Sequence, residues 1–121
     1  MILLDSNIVI GYLNGDAAII EKLDGMVRER RALFISLITF SEALCLPEAG
    51  NNLAVIEQFL DGFIVIAPDK EIAKTAAALR RKHKLDIPDA YIVATAIERN
   101  IPLATRDKKM RSIPGIIHAD I

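Results

Sequence analysis

Met1-Ile-Leu-Leu-Asp5-Ser-Asn-Ile-Val-Ile10 opens the chain, and its first half has the character of a strand and its second half that of a helix. Ile2 to Leu4 is apolar with no polar residue alternating through it, the pattern of a parallel strand buried on both faces. Ser6 is a helix-capping residue, and the helix it predicts runs to about Leu13 and stops at Asn14-Gly15. The same pairing of short apolar run and longer helix continues outward. Asp16 predicts the cap of a helix carrying Ile19, Ile20, Leu23 and Val27 at helical spacing. Leu33 to Ile35 is a second strand, followed by a helix that opens at Thr39 and ends before Pro47. Asn51 to Leu60 is helical, with Leu53, Ile56, Phe59 and Leu60 on one face, and Phe63 to Ala67 is a third strand. Pro68-Asp69 starts a helix with Ile72, Ala76 and Leu79 inward and a basic tail, Arg80 to Lys84. Pro88 suits a first helical turn, where its missing N–H costs nothing. The residues after it, Ala90 to Ile97, are apolar on nearly every side, as in a helix covered on several faces. Pro102 to Thr105 is a fourth strand and Ile116-Ile117 a short fifth. Strands alternating with helices predict an α/β fold: a three-layer α/β/α sandwich around a central parallel sheet of four to five strands.

The length of 121 residues is that of one ordinary domain, and no Ser/Gly/Pro-rich linker or repeat divides it. An apolar share of 52% with 26% charged residues can build a core and excludes a disordered chain. The apolar share is high for the length, which predicts surface buried against a partner or a second copy. A net charge of −1 gives no overall basic field, so a polyanion would have to be bound by local basic patches and metal ions. The one cysteine, Cys45, cannot form an internal disulfide or supply a thiolate pair to zinc. The N-terminus has no basic leader, Asp5 interrupts its apolar run, and no apolar run approaches the ~18 residues of a membrane span. The expectation is a cytoplasmic protein without a membrane anchor.

In a parallel α/β sheet, chemistry gathers beyond the carboxyl ends of the strands. Asp5 directly follows the first strand. Glu42 falls in the first turn of the helix after the second, and Asp107 follows the fourth strand by one residue. Asp89 lies in the first turn of the buried helix, whose N-terminus must also face one edge of the sheet. Four carboxylates in one cleft repel, and without a cation some must hold protons. Hard oxygen donors without thiolates suit Mg²⁺ or Mn²⁺, which can lower the pKa of a bound water and brace the leaving oxygen of a phosphodiester. Helix N-termini nearby favour anionic groups. Each acid also has a plainer role open to it. Asp5 could start a helix, Asp89 could complement a helix dipole, and Asp107 could sit in a surface turn beside Lys108 and Lys109. Thr39-Phe-Ser-Glu42 has the spacing of a capping box, in which Glu42 folds back on the backbone of Thr39. Asp86, three residues before Asp89, is a rival for the same role or a plain helix cap.

Leu4-Asp5-Ser-Asn7-Ile, Ile38-Thr39-Phe-Ser-Glu42-Ala-Leu, Pro88-Asp89-Ala-Tyr-Ile-Val-Ala-Thr95-Ala and Leu103-Ala-Thr105-Arg-Asp107 together resemble a PIN domain. Within that superfamily the likeness is closest to VapC toxins of toxin–antitoxin pairs, and the closing Ile113-Pro-Gly115-Ile is similar too. The resemblance covers essentially the whole length, and the stretch around Asp89 is its most specific part. It implies a parallel sheet between helices and RNA cleavage by Mg²⁺ or Mn²⁺ held by an acid quartet. Carried over residue by residue, that quartet falls on Asp5, Glu42, Asp89 and Asp107, with Asn7 and Thr105 as supporting residues. It also implies a homodimer and a cognate antitoxin whose C-terminal segment lies over the active site. Three departures stand out. Many relatives carry Asn where Asp107 stands, Val93 replaces a frequent Ala, and Asp107 to Ile113 lacks a common Asp-Phe pair.

Of three basic clusters, Arg28/Arg30/Arg31 and Arg80 to Lys84 read as solvated helix ends. The third, Arg106/Lys108/Lys109/Arg111, flanks Asp107, so Arg106, Lys108 and Lys109 are candidates for phosphate contacts. Aromatics make up 5% of the chain and Trp is absent, which disfavours a base-stacking platform and favours recognition of backbone and RNA shape. His83 and His118 read as surface residues and Cys45 as a small core residue. No nucleophile-plus-base pair appears. Two rivals share the fold class: a catalytically idle binding module, and a receiver-type phosphoacceptor domain with Asp69 as its acceptor.

Overall fold

The computed structural model describes residues 1–121, apart from the side chain of Glu48. The order is β1 (Ile2–Leu4), α1 (Ser6–Leu13), α2 (Ala17–Arg28), β2 (Leu33–Ser36), α3 (Leu37–Leu44), a 3-10 turn at Pro47–Ala49, α4 (Leu53–Leu60), β3 (Ile64–Ile66), α5 (Lys70–His83), α6 (Ile87–Arg99), β4 (Leu103–Ala104) and α7 (Lys108–Arg111). All strand pairings are parallel, in the spatial order β3-β2-β1-β4. Leu4 at the end of β1 is paired with Ile35 on one side and Ala104 on the other.

Adjacent residues of a strand point to opposite faces of the sheet. Leu3 packs with α5 and α6, through Ile72, Ala76, Leu79, Ile92 and Val93. Ile2 and Leu4 pack the other way, with Ile8, Val9, Ile19, Leu23 and Leu60 of α1, α2 and α4. Both faces of β1 are therefore inside, and every residue of the run must be apolar. The chain passes outward from β1 to β2 and β3 with α1 to α4 on one face, then returns under the other face through α5 and α6 to β4. The direction of winding thus reverses between β1 and β4. In open parallel sheets a crevice forms at such a reversal, beyond the carboxyl ends of the strands.

Several boundaries differ from the sequence expectation, each for a local reason. Asp5, not Ser6, stands at the N-cap of α1, so Ser6 is the first helical residue. Helix α3 begins at Leu37 rather than Thr39, because Ser36 leaves β2 directly and its Oγ accepts from the backbone N of Ile38 at 3.1 Å. Glu42 consequently lies in the second turn of α3, and no capping box with Thr39 forms. The fifth strand is reduced to an isolated parallel bridge between Leu103 and His118, with the Leu103 N–H donating to the Ile117 carbonyl at 2.8 Å. Burial on both faces fails at β3, an edge strand whose Ile64 and Val65 are exposed. In α2 the buried face is Ile19, Leu23 and Met26, while Val27 points out, and in α4 Leu53 is exposed. Cys45 is an exposed C-cap of α3 and not a core residue.

Leu3→Ala removes a fully buried side chain at the centre of the sheet. It is expected to cost about 2–5 kcal/mol of unfolding free energy, measured from the shift in urea midpoint at unchanged slope.

Candidate active site

Asp5 is brought to the carboxyl edge by β1 and is only 1% exposed. Its Oδ2 accepts the hydroxyl proton of Thr105 at 2.7 Å. Burial raises the pKa of Asp5, and the charges of Asp107 and Glu42 push in the same direction, against the bonds from Thr105 and the Ser6 backbone. Thr105, fully buried just beyond β4, also accepts from the backbone N–H of Asp107 at 3.1 Å. One hydroxyl therefore sets the loop carrying Asp107 against Asp5. Asp107 in turn caps α7, its Oδ1 accepting from the backbone N–H groups of Lys109 at 2.8 Å and Met110 at 3.1 Å.

Asp89 stands in the first turn of α6, which is capped by Asp86 through a 3.0 Å bond to the backbone N–H of Asp89. The two aspartates divide the roles that the sequence left open: Asp86 is an exposed cap, and Asp89 is half-buried. Desolvation, followed by the charges of Asp86, Asp5, Asp107 and Glu42, raises the pKa of Asp89 to about 6. Asp5, Glu42, Asp89 and Asp107 thus share one electrostatic field, although they come from the β1–α1 junction, α3, α6 and the loop after β4. Glu42 Oε1 accepts from the Ser6 hydroxyl at 2.7 Å, and Ser6 Oγ lies 2.8 Å from the Thr39 hydroxyl. Asn7 is exposed in the first turn of α1.

The basic residues around Asp107 have other partners. Arg106 donates to Asp16 at 3.3 Å, Lys109 Nζ to the Lys84 carbonyl at 2.8 Å and Arg111 to the Thr105 carbonyl at 3.1 Å. Lys108 is exposed. Asp69 lies apart from the acid cluster as the cap of α5, paired with Arg99 at 2.7 Å. Ser6 and Thr39 had no place in the site as read from the sequence. The signal for them was present but ambiguous, because Thr39 and Glu42 at i and i+3 share a helix face whether or not a cap forms.

The donor set fits a hard divalent cation. It offers carboxylates and hydroxyls, and protein donors hold one oxygen each of Asp5, Glu42 and Asp107. Among the described residues no three or more His, Cys, Asp or Glu side chains stand close enough together to hold a metal ion between them. Mg²⁺ is commonly held by one or two carboxylates and keeps several of its waters, so fewer protein ligands than that suffice for it.

A family model described as PIN domain matches residues 2–116. The chain belongs to the PIN domain family. Its fold is similar to a chain of a toxin–antitoxin complex from Klebsiella pneumoniae, at 33% identity over 97% of this chain and 96% of that one, with a TM-score of 0.78. It is similar at 28% identity to a chain of DNA-bound VapBC from Salmonella typhimurium, covering 98% and 96% of the two chains with a TM-score of 0.78. At 21% identity the likeness to VapBC2 from Rickettsia felis is one of fold alone, covering 98% of each chain with a TM-score of 0.81. No curated protein matches. PIN family membership, together with the position of Asp69, removes the receiver-domain alternative.

The raised pKa of Asp89 has a consequence for stability. Its folded value of about 6 exceeds the ordinary 3.8, so its contribution is fully favourable below the ordinary value and is lost as pH rises through about 6. Without divalent ions, Asp89→Asn is expected to gain about 1–2 kcal/mol on the wild type between pH 4.5 and 7.5. Urea unfolding in EDTA at both values checks this, and a difference independent of pH would contradict it.

Proposed function

We propose that this PIN domain is a metal-dependent endoribonuclease acting as the VapC-like toxin of a type II toxin–antitoxin pair. The observation that carries the proposal is the mutual repulsion felt by Asp5 and Asp89, in which Glu42 and Asp107, carboxylates from separate segments, take part. Asp5, Asp89 and Asp107 would hold Mg²⁺ or Mn²⁺ directly, and Glu42 would hold it through water or orient the attacking water. When bound, the ion supplies water activation and charge neutralisation at the phosphodiester. Thr105 keeps Asp5 and Asp107 in register, and Asn7 would support the rim. Lys108, exposed beside Asp107, would meet the RNA backbone. Arg106 and Lys109 would do so by exchanging their present partners for phosphate.

The similarity to chains from toxin–antitoxin complexes supports a cognate antitoxin as partner. A homodimer is supported by the exposed apolar side chains Leu53 and Val55 of α4 and Ile64 and Val65 of the edge strand β3. Among the described residues no helix is long and apolar enough to cross a membrane, which accords with a cytoplasmic place of action.

Purified protein incubated with a pool of structured RNAs is expected to cut at discrete sites with Mg²⁺ or Mn²⁺ and to stop with EDTA. Asp5→Asn is expected to lose at least about a hundredfold in rate while remaining folded. Because water is the nucleophile, the products should carry 5′-phosphate and 3′-hydroxyl ends, and 2′,3′-cyclic phosphates would overturn the mechanism. A wild type that binds the antitoxin but cuts no RNA would leave the idle binding module as the function.

A further inference from the structure

Ser6 and Thr39 form a buried hydroxyl pair between the first turns of α1 and α3, 5% and 0% exposed respectively. Neither belongs to the acid quartet, yet the pair ends on one of its members. Ser6 Oγ is 2.8 Å from Thr39 Oγ1 and 2.7 Å from Glu42 Oε1. A serine hydroxyl has one proton to give, and an ionised carboxylate can only accept. The proton of Ser6 must therefore go to Glu42, and the bond between the hydroxyls must be donated by Thr39. The direction of the chain is thereby fixed: Thr39 to Ser6 to Glu42.

Geometry accounts for the length of this chain. Thr39 and Glu42 are three residues apart in α3 and so share a helix face. Ser6, the first helical residue of α1, sits opposite that face and reaches both. Thr39 is wholly buried, and a hydroxyl there must find a partner or destabilise the fold. By donating to Ser6 it polarises the Ser6 hydroxyl toward Glu42.

We propose that Ser6, oriented by Thr39, is a positioning residue that holds the Glu42 carboxylate by Oε1 and leaves Oε2 turned to the reacting water. The inference rests on the nuclease reading for its functional consequence. Its structural content, that Ser6 and Glu42 are energetically coupled, stands apart from that reading. Asp5 is held through Thr105 by the same device, a buried hydroxyl donating to one oxygen of a carboxylate. Both tethers are neutral, and among the described residues neither carboxylate forms an ion pair, so each keeps its charge for the ligand.

The test combines kinetics with a double-mutant cycle. Ser6→Ala is expected to lower kcat for RNA cleavage roughly 10–100-fold with KM little changed, at a temperature where denaturation shows the variant folded. Thr39→Val, which removes the first donor, is expected to lose kcat in the same sense but by less. Thr39→Ser, which keeps the hydroxyl, is expected to stay within about threefold of the wild type. The wild type, S6A, E42A and S6A/E42A are then compared in urea. The two substitutions are expected to be non-additive, because removing Glu42 removes the group that Ser6 serves. Wild-type kcat in S6A, or additive unfolding free energies, would overturn the proposal. A wild type that cuts no RNA would refute the nuclease reading separately. The unfolding cycle would then decide the coupling alone, with non-additivity upholding it and additivity rejecting it.

Discussion

A carboxylate buried at the end of the central strand is the constraint around which this molecule is organised. Asp5 follows Leu4, which is enclosed by β2 and β4 on its two sides, so its side chain enters a desolvated place at the carboxyl edge. A buried charge is costly unless it is paired. Among the described residues no Lys, Arg or His forms an ion pair with Asp5. Its partners are neutral donors, and the charges that act on it, Asp107 and Glu42, are of its own sign. The fold thus tolerates an electrostatic imbalance at one point, and the two hydrophobic layers around the sheet hold it there. On the proposed reading, a group of anions kept together by packing would be met by an external cation.

The tethers of the four acids follow one logic. Three of them are fixed by hydroxyl or backbone donors, Asp5 by Thr105, Glu42 by Ser6 and Asp107 by the first turn of α7, while Asp89 is placed by the helix turn that Asp86 caps; among the described residues none of the four is in an ion pair with a Lys, Arg or His. The cations nearby are directed elsewhere, Arg106 to Asp16 and Lys109 to a carbonyl of the α5–α6 turn. Those exposed contacts contribute little to stability. They do keep positive side chains out of the cleft, where they would compete with a metal ion. The Lys109 bond has a further effect, because it joins the helix capped by Asp107 to the turn that precedes Asp86 and Asp89.

Much of this was legible in the chain. The unbroken apolar run Ile2–Leu4 gave away a strand buried on both sides, and the caps Asp16, Asp69 and Asp86 marked helix starts. Asp5 and Asp107 were legible as residues just beyond strands, and Asp89 as one in the first turn of a buried helix. The misjudged elements were those where two good local signals competed. Ser36 and Thr39 are both capable caps, and the one leaving the strand directly prevailed, so that Glu42 moved a turn along and gave its carboxylate to Ser6. Edge exposure at β3 escaped detection because strand order is a tertiary property, and an apolar run looks the same at the centre and the edge. Cys45 and Val27 were misplaced because periodicity fixes a helix face only to within a residue or so near its end. The Ser6–Thr39 pair was beyond local reasoning altogether, since it joins residues 33 positions apart.

The most direct test of the central claim, that the four acids form a single cation site, is an NMR titration of the side-chain carboxyl carbons with Mg²⁺. The account expects the signals of Asp5, Glu42, Asp89 and Asp107 to shift together along one binding curve, with those of Asp69 and Asp16 unmoved. Carboxyl signals that respond on separate curves, or a cluster indifferent to Mg²⁺ while exposed acids shift weakly and uniformly, would contradict it.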